Sequence, residues 1–260
     1  MLSLIWVLAI ATNLCGQGAD AIHRRRIEEF SQRAVRLESK FEAHSFRGRN
    51  GNMMPYRLFR PTNGSGSLPL VLYLHGSGGL GDDNSRQISG GNVFGTHIWA
   101  FDENQSRFPA FVLAPQTTQG WGPDGLALAL ELVQTLIDKQ PIDATRIYLT
   151  GQSMGGSGIW NMLAAHPDFF AAAVIVCGRG DPKFARAVRG TPIWIFHGTL
   201  DMTIPVENAR LIAHALTKEG SKPKYTEYPK VGHNVWEWAY TDPELIEWVF
   251  SQRKTTTLAP

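Results

Sequence analysis

Gly151-Gln152-Ser153-Met154-Gly155 sets a serine between two glycines at a spacing suited to nucleophilic chemistry. A serine hydroxyl attacks a carbonyl well only when a base takes its proton, and a sharp turn from strand to helix exposes it best. Glycine on either side lets strand and helix approach closely enough to make that turn. Arg146 to Thr150 reads as a strand and the residues after Gly155 as an apolar helix, so Ser153 stands where such a nucleophile is needed. Glycine supplies 26 of the 260 residues, so this context carries more weight than the five-residue motif.

On such a turn the acid and then the base should follow the serine, on loops after later strands. Of eight histidines, only His197, His214 and His233 follow both Ser153 and a plausible acid. His197 ends a strand before Gly198 and reads as support for its loop, while His214 falls inside a helix. His233 follows the strand Lys224 to Tyr228 and the turn Pro229-Lys230-Val231-Gly232, which makes it the expected base. Asp201, just past the strand that ends at His197, is the expected acid. Asp168, Asp181 and Asp242 are the alternatives, reading as helix ends or loop. The chemistry expected of Ser153, His233 and Asp201 is acyl transfer through a covalent acyl-enzyme, which needs no cofactor and no metal.

Two main-chain donors are expected to hold the oxyanion. The Met154 N–H lies at the positive end of the helix after Ser153. The Ser77 N–H lies in Leu74-His75-Gly76-Ser77-Gly78-Gly79, a glycine-rich loop after a strand. Gly76, Gly78 and Gly81 also spell G-x-G-x-x-G, but Asp82-Asp83-Asn84 and Gly90-Gly91 continue a loop where dinucleotide binding needs a helix.

The elements that must position these groups alternate. Leu70 to Leu74, Phe111 to Ala114, Arg146 to Thr150, Ala171 to Val176, Pro192 to Phe196 and Lys224 to Tyr228 read as strands. Helices are expected over Asp124 to Lys139, after Gly155, and near Val206 to Thr217 and Pro243 to Ser251. This pattern predicts an α/β fold with a mostly parallel sheet and helices on both faces. Phe41 to Arg49 and Met53 to Arg60 flank Asn50-Gly51 and predict an antiparallel N-terminal hairpin with a tight turn.

Leu2 to Ala11 is apolar, and Ala19-Asp20-Ala21 has small residues at cleavage spacing, so residues 1–21 read as an export signal. A secreted or periplasmic location follows, or a cytoplasmic one if the segment is no signal. Residues 22–40 form a helical segment with Ile27, Phe30, Ala34 and Leu37 on one face, residues 41–252 the main domain and 253–260 a polar tail. Removal of Cys15 with the signal leaves Cys177, expected to be a buried, inert thiol. With 25 basic and 23 acidic residues intermixed, the chain lacks the basic field that nucleic-acid binding needs. Membrane contact is not expected after signal removal.

Leu74-His75-Gly76, Ala114-Pro115-Gln116, Gly151 to Gly155, His197-Gly198-Thr199-Leu200-Asp201 and Gly232-His233 together resemble the α/β-hydrolase family of carboxylesterases, in the branch of polyhydroxybutyrate depolymerase-like and feruloyl-esterase-like enzymes. The resemblance spans about residues 41 to 252. It implies a serine hydrolase cleaving small-molecule or polymer-linked carboxylic esters. By that likeness Trp121 lines the substrate pocket, with His75 and Trp236, the competing reading of Trp121 being a packed surface aromatic. Phe94, His97, Trp99 and Phe101 either wall an aromatic-accepting pocket or pack their own loop. Between Cys177 and Thr191 there is too little chain for a large cap. A serine peptidase of the same fold and a catalytically silent binding scaffold are the competing functions.

Overall fold

A computed structural model describes residues 21–254. The chain divides into two units, Met1–Arg36 and Leu37–Pro260. In the first, the described residues belong to a helix over 21–37, α1. Phe30 and Ala34, one helical turn apart, are buried in it as the apolar spacing predicts. The expected export signal, Cys15 included, lies outside the described residues except for Ala21. No helix among the described residues is long and apolar enough to cross a membrane.

The second unit is built on eight strands. They are β1 (Phe41–Arg47), β2 (Met53–Phe59), β3 (Leu68–Leu74), β4 (Phe111–Pro115), β5 (Ile142–Gln152), β6 (Ala172–Val176), β7 (Ile193–Gly198) and β8 (Lys224–Tyr228). The helices are α2 (Asn92–His97), α3 (Asp102–Arg107), α4 (Pro123–Lys139), α5 (Met154–Ala165), α6 (Ala185–Val188), α7 (Glu207–Lys218), α8 (Trp236–Ala239) and α9 (Leu245–Ser251). The sheet order is β1-β2-β4-β3-β5-β6-β7-β8. β1 pairs antiparallel with β2 and β2 with β4, whereas every pairing from β4 to β8 is parallel.

Side chains that alternate along each strand explain the two covered faces. Leu70, Leu72 and Leu74 share a core with Leu149, Ile175 and Ile195, and with apolar residues of α4, α5 and α7. On the opposite face the Tyr73 ring meets Tyr240, Tyr148 meets Phe250 and Trp194 meets Trp248. Burial on both faces is why the central strands read as unbroken apolar runs.

The hairpin forms as expected, with Asn50-Gly51 inside the connection 48–52, closed by hydrogen bonds between Gly48 and both Gly51 and Asn52 at 2.9 Å, with Gly51 at φ 85°. One reading is corrected. The stretch from Gly76 to Phe108, read as loop, holds α2 and α3. Phe94, His97, Trp99 and Phe101 are all buried within it, so they pack the excursion and do not wall a pocket.

Candidate active site

Ser153 sits between β5 and α5 with φ 54° and ψ −116°, a strained conformation that points its side chain off the turn. Its N–H donates to the Val176 carbonyl at 2.9 Å, which ties the turn to β6. The flanking glycines are required by space. A Cβ on Gly151 would lie 2.6 Å from the Leu74 carbonyl oxygen, and one on Gly155 only 1.9 Å from it. The turn is pressed against the end of β3, where the oxyanion loop begins.

The structure brings together the three side chains expected from the sequence. Ser153 Oγ lies 2.8 Å from His233 Nε2, and His233 Nδ1 lies 2.7 Å from Asp201 Oδ2. With Nδ1–H donating to the carboxylate, Nε2 is left as the acceptor for the serine proton. Asp201 Oδ1 accepts from the N–H groups of Thr203 and Ile204, each at 2.9 Å. The His197 ring adds a contact to Asp201 Oδ2 at 3.3 Å and reaches the Ile204 carbonyl at 2.7 Å. His197 therefore braces the acid's loop, as its place at a strand end implied. His214 is exposed on α7. Asp181 caps a short 3-10 turn and Asp242 accepts from the Tyr228 hydroxyl, so neither competes with Asp201.

Two late loops meet to deliver the base. Leu200 N–H donates to the Val231 carbonyl at 2.9 Å, and Lys230 N–H to the Thr199 hydroxyl at 2.9 Å. A side chain on Gly198 would strike the Val231 and Gly232 carbonyls. Cys177 is buried as expected, and burial pushes its thiol pKa up. It is more than filler, since its Sγ donates to the His233 carbonyl at 3.5 Å. The ligand atoms of Cys177, Asp201 and His233 lie within 4.8 Å of one another. Both His233 nitrogens are engaged, by Ser153 and Asp201, and the Cys177 thiol donates to the His233 carbonyl, so these groups are already committed to one another and do not form a cation cage.

Ser77 and Ser153 line one cavity of about 130 Å³ with Gly76, Gly78, Gly91, Asn92, Gln152, His233 and Trp236. Ser77 opens a 3-10 turn and Met154 opens α5, and the first N–H of such a turn has no acceptor within its own helix. Both expected oxyanion donors thus belong to helix starts beside the nucleophile. A larger groove of about 430 Å³, lined by Asn52, Asp82, Thr117, Gln119 and Asp124 among others, carries no serine, cysteine or histidine.

Of the three expected pocket residues, only Trp236 lines the cavity. Its ring stands edge-on to His233 at 5.6 Å between centroids. Trp121 is instead buried under the oxyanion loop and donates its indole N–H to the His75 carbonyl at 2.9 Å. His75 is fully buried as well. Its Nδ1–H donates to the Gly76 carbonyl at 2.8 Å and its Nε2 accepts from Thr117 N–H at 3.2 Å. Both residues shape the loop from behind, because a wide aromatic and an imidazole supply bulk and hydrogen bonds where a run of glycines supplies none.

Asn92 was missed by sequence reading. Its Oδ1 accepts from Gly76 N–H at 3.0 Å and from the Tyr73 hydroxyl at 2.9 Å, and its Nδ2 donates to the Arg86 carbonyl at 3.0 Å. Gln116, named as part of Ala114-Pro115-Gln116, holds the loop's far end through Gly79, Asp83 and Asn84. The signal for Asn92 was an asparagine opening a helix straight after Gly90-Gly91.

Burial lowers the pKa of His75 and of His97 to about 4. The unfolded chain holds these histidines near 6.5. As pH falls from 6.5 toward 4, the unfolded chain therefore takes up protons that the folded one refuses, and stability is lost across that window. Each histidine contributes on the order of 3 kcal/mol to the loss. We expect the urea midpoint to fall steeply between pH 6.5 and 4.5, and His97→Gln to flatten that slope. A midpoint constant over this range would show that neither imidazole is held neutral.

A mostly parallel sheet with the nucleophile after β5, the acid after β7 and the histidine after β8 is the α/β-hydrolase fold, and the chain has that fold. The model of the dienelactone hydrolase family matches residues 117–240, which include Ser153, Asp201 and His233. A crystal structure of a thermostable esterase superposes with a TM-score of 0.80 at 36% identity, over 84% of this chain and 64% of that one. A Salmonella typhimurium protein provisionally named carboxymethylenebutenolidase is 26% identical over 199 residues, 70% of this chain and 73% of its own length. Feruloyl esterase B of Neurospora crassa is 30% identical over 127 residues, 47% of this chain and 43% of its own. A puromycin-hydrolyzing peptidase of Mycobacterium tuberculosis at 17% identity and a puromycin hydrolase at 15%, each with a TM-score of 0.62, share the fold. The chain carries the apparatus of a serine ester hydrolase.

Proposed function

We propose that this protein cleaves carboxylic esters with short acyl groups, using Ser153 as nucleophile, His233 as base and Asp201 as the acid that orients it. The 2.8 Å contact between Ser153 Oγ and His233 Nε2 carries the reading. His233 takes the hydroxyl proton as Oγ attacks the ester carbonyl, and the oxyanion that forms is held by the Ser77 and Met154 N–H groups. The tetrahedral centre collapses, the alcohol leaves with the proton from His233, and Ser153 keeps the acyl group. Water then repeats the cycle, giving its proton to His233 and releasing the carboxylic acid. The small cavity favours a short acyl group. The chain from Cys177 to Thr191 forms only a 3-10 turn and α6, too little for a cap over the alcohol side.

The test is covalent labelling by a fluorophosphonate, followed by turnover of p-nitrophenyl acetate and methyl ferulate against their amide analogues. Labelling and faster ester cleavage are expected. Faster cleavage of the amides would favour the peptidase, and wild-type protein inert to both probe and substrate would favour the silent scaffold.

A further inference from the structure

We propose that Asn92 aims the second oxyanion donor, acting through Gly76 on the Ser77 N–H, a positioning role that rests on the esterase reading of Ser153. The two donors are supported unequally. Met154 N–H stands at the start of a twelve-residue helix, α5, whereas Ser77 N–H stands at the start of a three-residue 3-10 turn. A turn of that length does not hold itself in place. The loop's own side chains cannot hold it either, since residues 76–79 are three glycines and an exposed serine. Its support must come from outside the loop.

The direction of Ser77 N–H follows from the peptide it shares with Gly76, because carbonyl and N–H point opposite ways across a trans peptide. The Gly76 carbonyl oxygen accepts from Gly79 N–H at 2.9 Å and from His75 Nδ1–H at 2.8 Å. Ser77 N–H is thereby turned away from the buried His75. The other side of Gly76 is tied by Asn92, whose Oδ1 accepts from Gly76 N–H at 3.0 Å. Glycine is the residue freest to rotate, and with both N–H and C=O bonded Gly76 loses that freedom. Asn92 itself has one orientation. Gly76 N–H can only donate and the Arg86 carbonyl can only accept, so Oδ1 faces the first and Nδ2 the second. Tyr73, fully buried on β3, adds its hydroxyl to Oδ1 at 2.9 Å. The brace joins the end of β3, the turn at Arg86 and the start of α2 through one side chain, which is 3% exposed and lines the catalytic cavity.

An oxyanion donor contributes about 10² to 10³ to kcat, and a displacement of about 1 Å is enough to cost about 10². Asn92→Ala frees Gly76 N–H, and kcat for p-nitrophenyl acetate, per folded molecule by circular dichroism, is expected to fall by roughly tenfold or more. KM should stay within roughly threefold, because the oxyanion forms only in the transition state. Trifluoroacetone reads the same donor without turnover. Ser153 Oγ bonds to its carbonyl carbon, the serine proton passes to His233, and the carbonyl electron pair becomes an alkoxide held by the Ser77 and Met154 N–H groups. Its Ki is expected to rise by roughly tenfold or more. Constants unchanged per folded molecule beside a lower Tm, or a loss confined to KM, overturn the proposal and leave the esterase reading standing. Wild-type protein that takes no fluorophosphonate and cleaves no ester overturns both. Should Asn92→Ala fail to fold, Asn92→Leu is made in a Tyr73→Phe background, where apolar groups of similar shape replace a bonded pair at little loss of stability. Measured against Tyr73→Phe alone, the same fall in kcat and rise in Ki are expected, and equal constants in the two overturn the proposal.

Discussion

Replacing Ser153 with alanine is expected to lower kcat for a carboxylic ester by about four to six powers of ten, with the fold unchanged. The substitution removes the atom that bonds to the acyl group and nothing else, since Ser153 Oγ has His233 as its partner. Its backbone strain is fixed by the Val176 hydrogen bond and by Gly151 and Gly155, so the turn survives. Asp201→Asn tests the second link. The asparagine can keep the bonds from Thr203 and Ile204, but its NH2 can face His233 Nδ1 and force the proton onto Nε2, where it blocks acceptance from serine. We expect a loss of about 10⁴ in kcat. Because the residues act as one unit, the double variant should be little worse than Ser153→Ala alone. Kinetics with p-nitrophenyl acetate, checked by circular dichroism for folding, read both effects. Ester turnover by Ser153→Ala within tenfold of wild type would remove the nucleophile from the account.

How much of this was legible in the sequence depended on what kind of force places each residue. Ser153, Asp201 and His233 are polar residues set at the ends of apolar strands, in an order the fold dictates, and their types alone restrict their chemistry. The strands that carry them are buried on both faces, so Leu70 to Leu74 and Ala171 to Val176 read as unbroken apolar runs. The excursion from Gly76 to Phe108 was opaque for the opposite reason. α2 and α3 have six residues each, too few to form by local propensity, so tertiary packing of Phe94, Trp99 and Phe101 holds them. Asn92 was hidden with them, because its partners Gly76, Tyr73 and Arg86 become neighbours only once that packing exists. Trp121 and His75 were taken for pocket residues on the family resemblance, because they follow the ends of strands that lead to the site. In space they lie behind the loop, and the indole N–H bonded to the His75 carbonyl is a long-range contact that no local pattern announces.

Gly155→Ala should do to the fold what Ser153→Ala does to the chemistry. The added methyl would lie 1.9 Å from the Leu74 carbonyl oxygen, 2.6 Å from its carbon and 2.8 Å from the His75 carbonyl oxygen. All three are backbone atoms, so no side chain can rotate away, and the start of α5 must move from the end of β3 by about 1.5 Å to reach ordinary contact. That movement breaks close packing in the centre of the sheet, and we expect a loss above about 4 kcal/mol, which for a chain of this size lowers Tm by about 10 °C or prevents soluble expression. The same shift carries Met154 and Ser153 away from Ser77, separating nucleophile and oxyanion donors. A displacement of about 1 Å is enough to cost about 10² in rate, so any folded fraction should be a poor esterase at temperatures where it is stable. Gly190→Ala is the control, since its methyl meets nothing within 4 Å and should leave both Tm and kcat within error. Calorimetry of the two variants decides the matter. A Gly155→Ala protein that melts with wild type would mean that strand and helix do not approach as closely as the nucleophile's turn requires.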